Sequence, residues 1–286
     1  MSRWLTYLRE RSPLPTVLTV AAAQALSAYY LFRSGFDARA IALSAAGVAG
    51  LLVLMRMGDE VKDYEKDLLA HPGRPLPRGL ITPAEMRSAI RFFALLLFVY
   101  AALLAVLCSL LAGALYAATV GYALLMYKEF FIPRMLNANA FFYALTHQLI
   151  VLPMYAFATA SAASPAAAFS RPALWFALTG LGASFTLEIC RKLDPAAHPA
   201  LCTYLHVYGR RAAMFAVAAS LSLLLLASYQ MKVHWIVAPF VALTVLSLTL
   251  LFRRPDRFKA AEGAAALLGI VQMLAPTLLY AYRSFT

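Results

Sequence analysis

Five carboxylates, Asp59, Glu60, Asp63, Glu65 and Asp67, stand within nine residues of a chain in which only 13% of residues are charged. On a helix turning about 100° per residue, Asp59, Asp63 and Asp67 fall on one stripe, Glu60 lies beside it and Glu65 turns away. Like charges crowded in this way raise one another's pKa unless a cation sits among them. Mg2+ suits such a row, because it takes one or two carboxylates, keeps several waters and bridges to substrate phosphate. Asp59, Glu60, Asp63 and Asp67 are therefore candidate metal ligands, with Asp63 and Asp67 placed at the centre of catalysis. The rival reading is a solvated helix end on which Lys62 and Lys66 pair with the acids, although such an end needs no common stripe.

The loop that follows, His71-Pro72-Gly73-Arg74-Pro75-Leu76-Pro77-Arg78-Gly79, is stiffened by three prolines. It holds Arg74 and Arg78 near the acids, where two guanidiniums suit a diphosphate; alone, each would read as a membrane-interface anchor. A second polar cluster, Glu188 to Asp194, closes another apolar stretch. Its i, i+3 and i+4 spacing puts Glu188, Arg191 and Lys192 on one face, as a local salt bridge or as a ligand for metal (Glu188) and phosphate (Arg191, Lys192). Lys128, after Tyr127, is a candidate for diphosphate binding and catalysis, with interfacial snorkelling as its rival. Tyr127, Asn137, His147 and Gln148 are candidate pocket residues, and Thr146, Gln24, Tyr204 and His206 are weaker ones. Helix-to-helix hydrogen bonding is the alternative for the buried polar groups. Most aromatic residues, Tyr143 and Phe142 among them, read as lipid-facing or core, with some available to line a tunnel for an apolar substrate that spacing does not single out.

The elements that must position these groups are set by composition. The 286 residues are 63% hydrophobic with a mean hydropathy of +0.73, which excludes an ordinary soluble domain. Apolar windows predict nine helices near 14–33, 38–57, 90–111, 113–133, 138–160, 172–190, 211–230, 233–252 and 261–281. The expectation is a single all-α membrane domain over residues 1–286, with active-site loops near 58–88 and 188–210. The net charge of +12 suggests nucleic acid only until the apolar bulk is counted. An amino terminus on the cytoplasmic side puts 20 of the 25 Lys and Arg, and every acid but Asp37, on that side. That predicts a multi-pass protein of a bacterial cytoplasmic membrane whose chemistry faces the cytoplasm. The polar, basic start leads straight into a span-length apolar run, so no cleavable signal is expected there. Cys108, Cys190 and Cys202 lack metal-ligand spacing, so neither zinc nor a disulfide framework is expected.

With these residues laid out, the chain resembles the UbiA-type superfamily of intramembrane prenyltransferases. That family's first motif, N-D-x-x-D-x-x-x-D followed by R-P-L-P-x-G, matches Asp59, Glu60, Asp63 and Asp67 and then Arg74 to Gly79. The resemblance implies nine helices around a cavity, Mg2+ as cofactor, and an isoprenyl diphosphate whose allylic carbon–oxygen bond ionises. The prenyl group then passes to an acceptor, aromatic in the leading reading. Two departures stand out. Asp59 and Glu60 replace the family's Asn and Asp, and the normally aspartate-rich second motif is here Glu188, Arg191, Lys192 and Asp194. The altered second motif keeps a terpene cyclase of the same superfamily as an alternative. A metal-binding transporter is the alternative from another class, against which no acid lies near the middle of a span.

Overall fold

The computed structural model describes residues 2–201, 203–254 and 257–285, and among them every regular element is a helix. A short helix, α1 (Arg3–Arg11), precedes α2 (Leu14–Tyr30) and α3 (Ala38–Lys62); α4 (Tyr64–Ala70) follows at once. Next come α5 (Pro83–Leu107), α6 (Leu110–Tyr127), the brief α7 (Pro133–Asn137), α8 (Ala140–Gln148) and α9 (Val151–Ala162). The chain ends with α10 (Arg171–Arg191), α11 (Tyr204–Gln230), α12 (His234–Arg253) and α13 (Phe258–Phe285). With α8 and α9 counted as one span, eight helical segments among the described residues are long and apolar enough to cross a bilayer. The apolar α2, at 17 residues, completes the bundle by packing on α3, α9 and α13. The chain is an integral, multi-pass membrane protein.

Local chemistry sets the helix boundaries. Thr82 and Glu85 form a reciprocal capping box with Pro83 in the first turn, so α5 begins seven residues before the apolar run at 90. The fifth span is two helices rather than one, because Pro153 in the first turn of α9 has no N–H to continue the ladder. The fourth span stops at Tyr127: Glu129, Phe130 and Phe131 take φ of 48°, 52° and 60°, a left-handed turn that ends the predicted helix short of 133. The seventh begins at Tyr204 rather than 211, with a break at Gly209, where φ is 74°.

Two cores share the bundle. One is built mainly from α2, α3, α5, α6 and α9, and the other from α10 to α13. They join where α10 packs on α9 and α13 packs on α2. Close approach within the second core depends on a missing side chain: a Cβ on Gly182 would sit 2.8 Å from the Ser220 carbonyl of α11. Buried polar groups add a tie across the cores, since Gln272 of α13 donates to the Tyr155 hydroxyl of α9 and accepts from Thr179 of α10, both at 3.0 Å. The ends of α3, α6 and α10 and the starts of α5, α8 and α11 gather at the face that carries α1. Cys108 and Cys190 are free thiols, and Cys202 lies outside the described residues.

Candidate active site

The acid row does not lie on one continuous helix. Asp63, at φ −89° and ψ 2°, ends α3 and starts α4, so Asp67 belongs to a second, separately aimed helix. Asp59 is about half exposed and accepts from Lys62, one turn on, at 2.9 Å. Asp63 is placed between Asp59 and Asp67; burial, reinforced by the negative charge of Asp59, pushes its carboxyl above the usual carboxylate range. Asp67 is buried, and Nη1 of Arg74 donates to both of its oxygens at 2.6 and 2.7 Å. Glu60 departs from the row. It is buried, Arg11 Nε donates to its Oε1 at 2.6 Å, and Arg56 Nε stands 3.4 Å from the same oxygen. Arg56 also donates to the Arg11 carbonyl, so Glu60 anchors α1 instead of joining its neighbours.

The proline loop is pinned by the buried side chains of Leu76 and Ile81 and turns at Gly79, where φ is 78°. It sends its two arginines to different partners. Arg74 faces Asp67, while Arg78 grips Glu10 of α1 with both terminal nitrogens, at 2.9 and 2.8 Å, and donates to the Gly73 carbonyl. That bidentate contact holds the Glu10 carboxyl below its ordinary range. Burial and the positive Arg74 do the same to the His71 imidazole at the head of the loop.

Across from α3, the second cluster is self-paired. Glu188 accepts from Arg191 at 3.1 Å and from Lys192 at 2.6 Å. The lysine is also the cluster's link to the rest of the site. Its Nζ lies 6.0 Å from the centre of the Tyr143 ring and 5.5 Å from that of Tyr204, and Lys62 donates to the Tyr143 hydroxyl at 3.3 Å. Tyr143 is thus the point at which the two polar clusters meet. Its ring stacks on His147, one turn deeper in α8, with centroids 3.9 Å apart. Nothing in the sequence but that four-residue spacing marks Tyr143, which reads there as core or lipid-facing.

The remaining predicted residues scatter. A cleft lined by Gly58, Asp59, Lys62, Ile90, Ala123 and Tyr127 opens beside α3, and Tyr127 packs over Gly58. Lys128 is exposed next to it, its Nζ 5.0 Å from the Tyr127 ring centre. Gln148 is half-buried at the end of α8, and Asn137 is exposed on α7. The second loop folds back on the first, with the turn Pro199–Leu201 against α4. Among the described residues no three His, Cys, Asp or Glu side chains converge as a ready-made metal centre. The donor chemistry of Asp59, Asp63 and Asp67 suits an oxygen-rich dication that takes the rest of its shell from substrate phosphate, with Asp59 giving up Lys62 and Asp67 giving up Arg74 to join it. Glu60 and Glu188, each held by two basic side chains, fit it less well.

Residues 16–274 match the UbiA prenyltransferase family. The chain belongs to that family. Its fold is shared with the solved structure of a digeranylgeranylglyceryl phosphate synthase, at a TM-score of 0.67 and 15% identity over 97% of this chain and 98% of the other. No protein of curated function matches it in sequence. The UbiA segment takes in the acid row, the proline loop and the second cluster, whereas α1 lies ahead of it. The helix that binds Glu60 and Arg78 lies outside the matched residues, against the face that carries the acid row.

Proposed function

We propose that this UbiA-family protein is a Mg2+-dependent prenyltransferase that ionises an isoprenyl diphosphate at the face carrying α1 and passes the prenyl group to an acceptor, aromatic in the leading version. The observation that carries the reading is the meeting of the two clusters at Tyr143, with Lys62 on one side and Lys192 on the other. Those cations, with Arg74, are placed to receive a diphosphate that bridges the two halves of the bundle. Asp59, Asp63 and Asp67 would hold Mg2+, which when bound offsets the negative charge that develops on the departing diphosphate. Arg74, already on Asp67, can exchange that carboxylate for a phosphate oxygen without leaving the site. The aromatic rings of Tyr143, Phe130 and Tyr122 would face the allylic cation and exclude water from it.

The test is an incubation of purified protein in liposomes with geranyl, farnesyl and geranylgeranyl diphosphates, Mg2+ and a panel of phenols, extracted and profiled by mass spectrometry. Prenylated phenol and released diphosphate in equal amounts are expected. A cyclic hydrocarbon or alcohol made without acceptor would replace transfer by cyclisation. No diphosphate release from any substrate would overturn both.

A further inference from the structure

Quenching a prenyl cation releases a proton, and the groups described so far are poor bases for it. Lysines and arginines are already protonated, and the carboxylates lie beside the diphosphate that a proton must not neutralise early. One buried side chain has the right free atom. His147 is 8% exposed, its Nδ1 lies 2.8 Å from the Tyr143 carbonyl, and its Nε2 is buried without any hydrogen-bond partner. A carbonyl oxygen only accepts, so Nδ1 carries the proton in that bond and Nε2 is left as an unprotonated, unsatisfied acceptor. A second proton on Nε2 would find no partner in the resting protein, so the imidazole rests neutral. Buried polar atoms left open in this way are few among the described residues, and each calls for an explanation.

The surroundings supply one. His147 stacks on the face of Tyr143 and meets Phe130 at a near right angle, with ring centroids at 3.9 and 5.9 Å. Its charged neighbours are Lys62 and Asp59 from α3, proposed above to hold diphosphate and metal, and Glu188 from α10, which pairs with Lys192. It lies one turn deeper in the bundle than the lysine-flanked Tyr143, just before the break between α8 and α9. Interrupted spans at that depth place polar groups where an apolar substrate passes.

We propose that His147 Nε2 is the base that removes the proton lost when the prenyl cation is quenched. This rests on the prenyl-diphosphate reading. The carbon–oxygen bond breaks and its electron pair leaves with the diphosphate. The acceptor's hydroxyl oxygen or ring carbon then forms the bond to the allylic carbon. The acceptor's proton passes to Nε2, and its former bonding pair restores a neutral ether or an aromatic ring. The imidazolium so formed is opposed by Lys62 and favoured by Asp59, Glu188 and the newly charged diphosphate. In a cyclising reaction the same atom takes the proton lost in forming the final double bond.

The test compares wild-type protein with His147→Gln, which keeps the shape and loses the base. Farnesyl or geranylgeranyl diphosphate is supplied with Mg2+ and whichever phenol the product screen identifies. The measured quantity is prenylated product per diphosphate released. It is expected to fall by about a hundredfold, the usual scale of a general base, with prenyl alcohol from water capture in its place. An unchanged ratio in folded His147→Gln overturns the assignment while leaving the prenyltransferase reading intact. No diphosphate release by wild-type protein overturns that reading instead. A second measurement does not depend on that variant's folding. In protein with His71, His198, His206 and His234 replaced by Gln, nitrogen-15 NMR reads the tautomer of the single histidine, and an Nε2–H form overturns the proposal.

Discussion

The two polar clusters have similar compositions, acids and bases at the end of a membrane span, and opposite constructions. In the first, local pairs such as Asp59–Lys62 are joined by partners from far along the chain. Arg11 reaches Glu60 across 49 residues, and Arg78 reaches Glu10 across 68. Glu60 and Asp67 are buried, and their arginine partners are partly so. In the second, Glu188 finds both partners within its own turn, at i+3 and i+4, and Arg191 remains half exposed. A buried cross-element pair fixes backbone positions because either partner alone is strongly disfavoured, whereas a local pair near solvent is easily exchanged. The first cluster is therefore the frame of the site, and the second is its adjustable side, free to release Lys192 to an incoming phosphate.

The largest effect that tests this contrast is on activity. Asp63→Asn is expected to lower prenyl transfer by about a hundredfold or more, the scale of the several kcal/mol that a dication contributes at a phosphoryl leaving group. Glu188→Gln, which only loosens a partly exposed pair, is expected to cost less than about tenfold. Initial rates at saturating Mg2+ on both variants decide it, and equal losses would erase the distinction between frame and adjustable side. A smaller effect concerns stability. Glu60→Gln leaves Arg11 and Arg56 facing a neutral amide and should destabilise the protein by about 2–3 kcal/mol, somewhat below the cost for a fully buried pair because both arginines keep some exposure. Glu188→Gln should stay within about 1 kcal/mol. Thermal unfolding in detergent compares the two, and matched midpoints would show that Glu60 is no anchor.

Hydropathy gave away the spans, because a bilayer accepts few alternatives to a long apolar helix and no competing period was present. The acids were visible for the same reason, as charge where charge is avoided. Their arrangement was less so. The common stripe of Asp59, Asp63 and Asp67 assumes one unbroken helix, and the bend at Asp63 comes from how α4 lies against the rest of the face, including Pro199–Leu201. Glu60 sits beside that stripe on a helical wheel, yet its side chain goes to an arginine of α1, a pairing no local window contains. The left-handed turn at Glu129–Phe131 carries neither Gly nor Asn to announce it, and it is this turn that brings Phe130 to His147. Tyr143 was hidden because an aromatic residue in an apolar span carries the same pattern whether it meets lipid or two lysines.

The weakest tie in the frame is also the one with the clearest pH signature. Glu10 and Arg78 are exposed, so their bidentate contact contributes little at neutral pH, but it joins α1 to the proline loop directly. Arg78 lowers the Glu10 pKa in the folded protein relative to an unfolded chain. A carboxylate shifted downward stabilises the folded state above its unfolded pKa, and that contribution is lost as pH falls through the folded value. Glu10→Gln should therefore lower the thermal midpoint slightly at neutral pH, and the gap to wild type should close in acid below the ordinary glutamate range. Glu188→Gln, whose parent residue pairs only within its own turn, serves as the control. A Glu10→Gln gap that persists in acid would mean that α1 is held on the loop by its apolar side alone, through Trp4 and Leu8, and not by the charge pair.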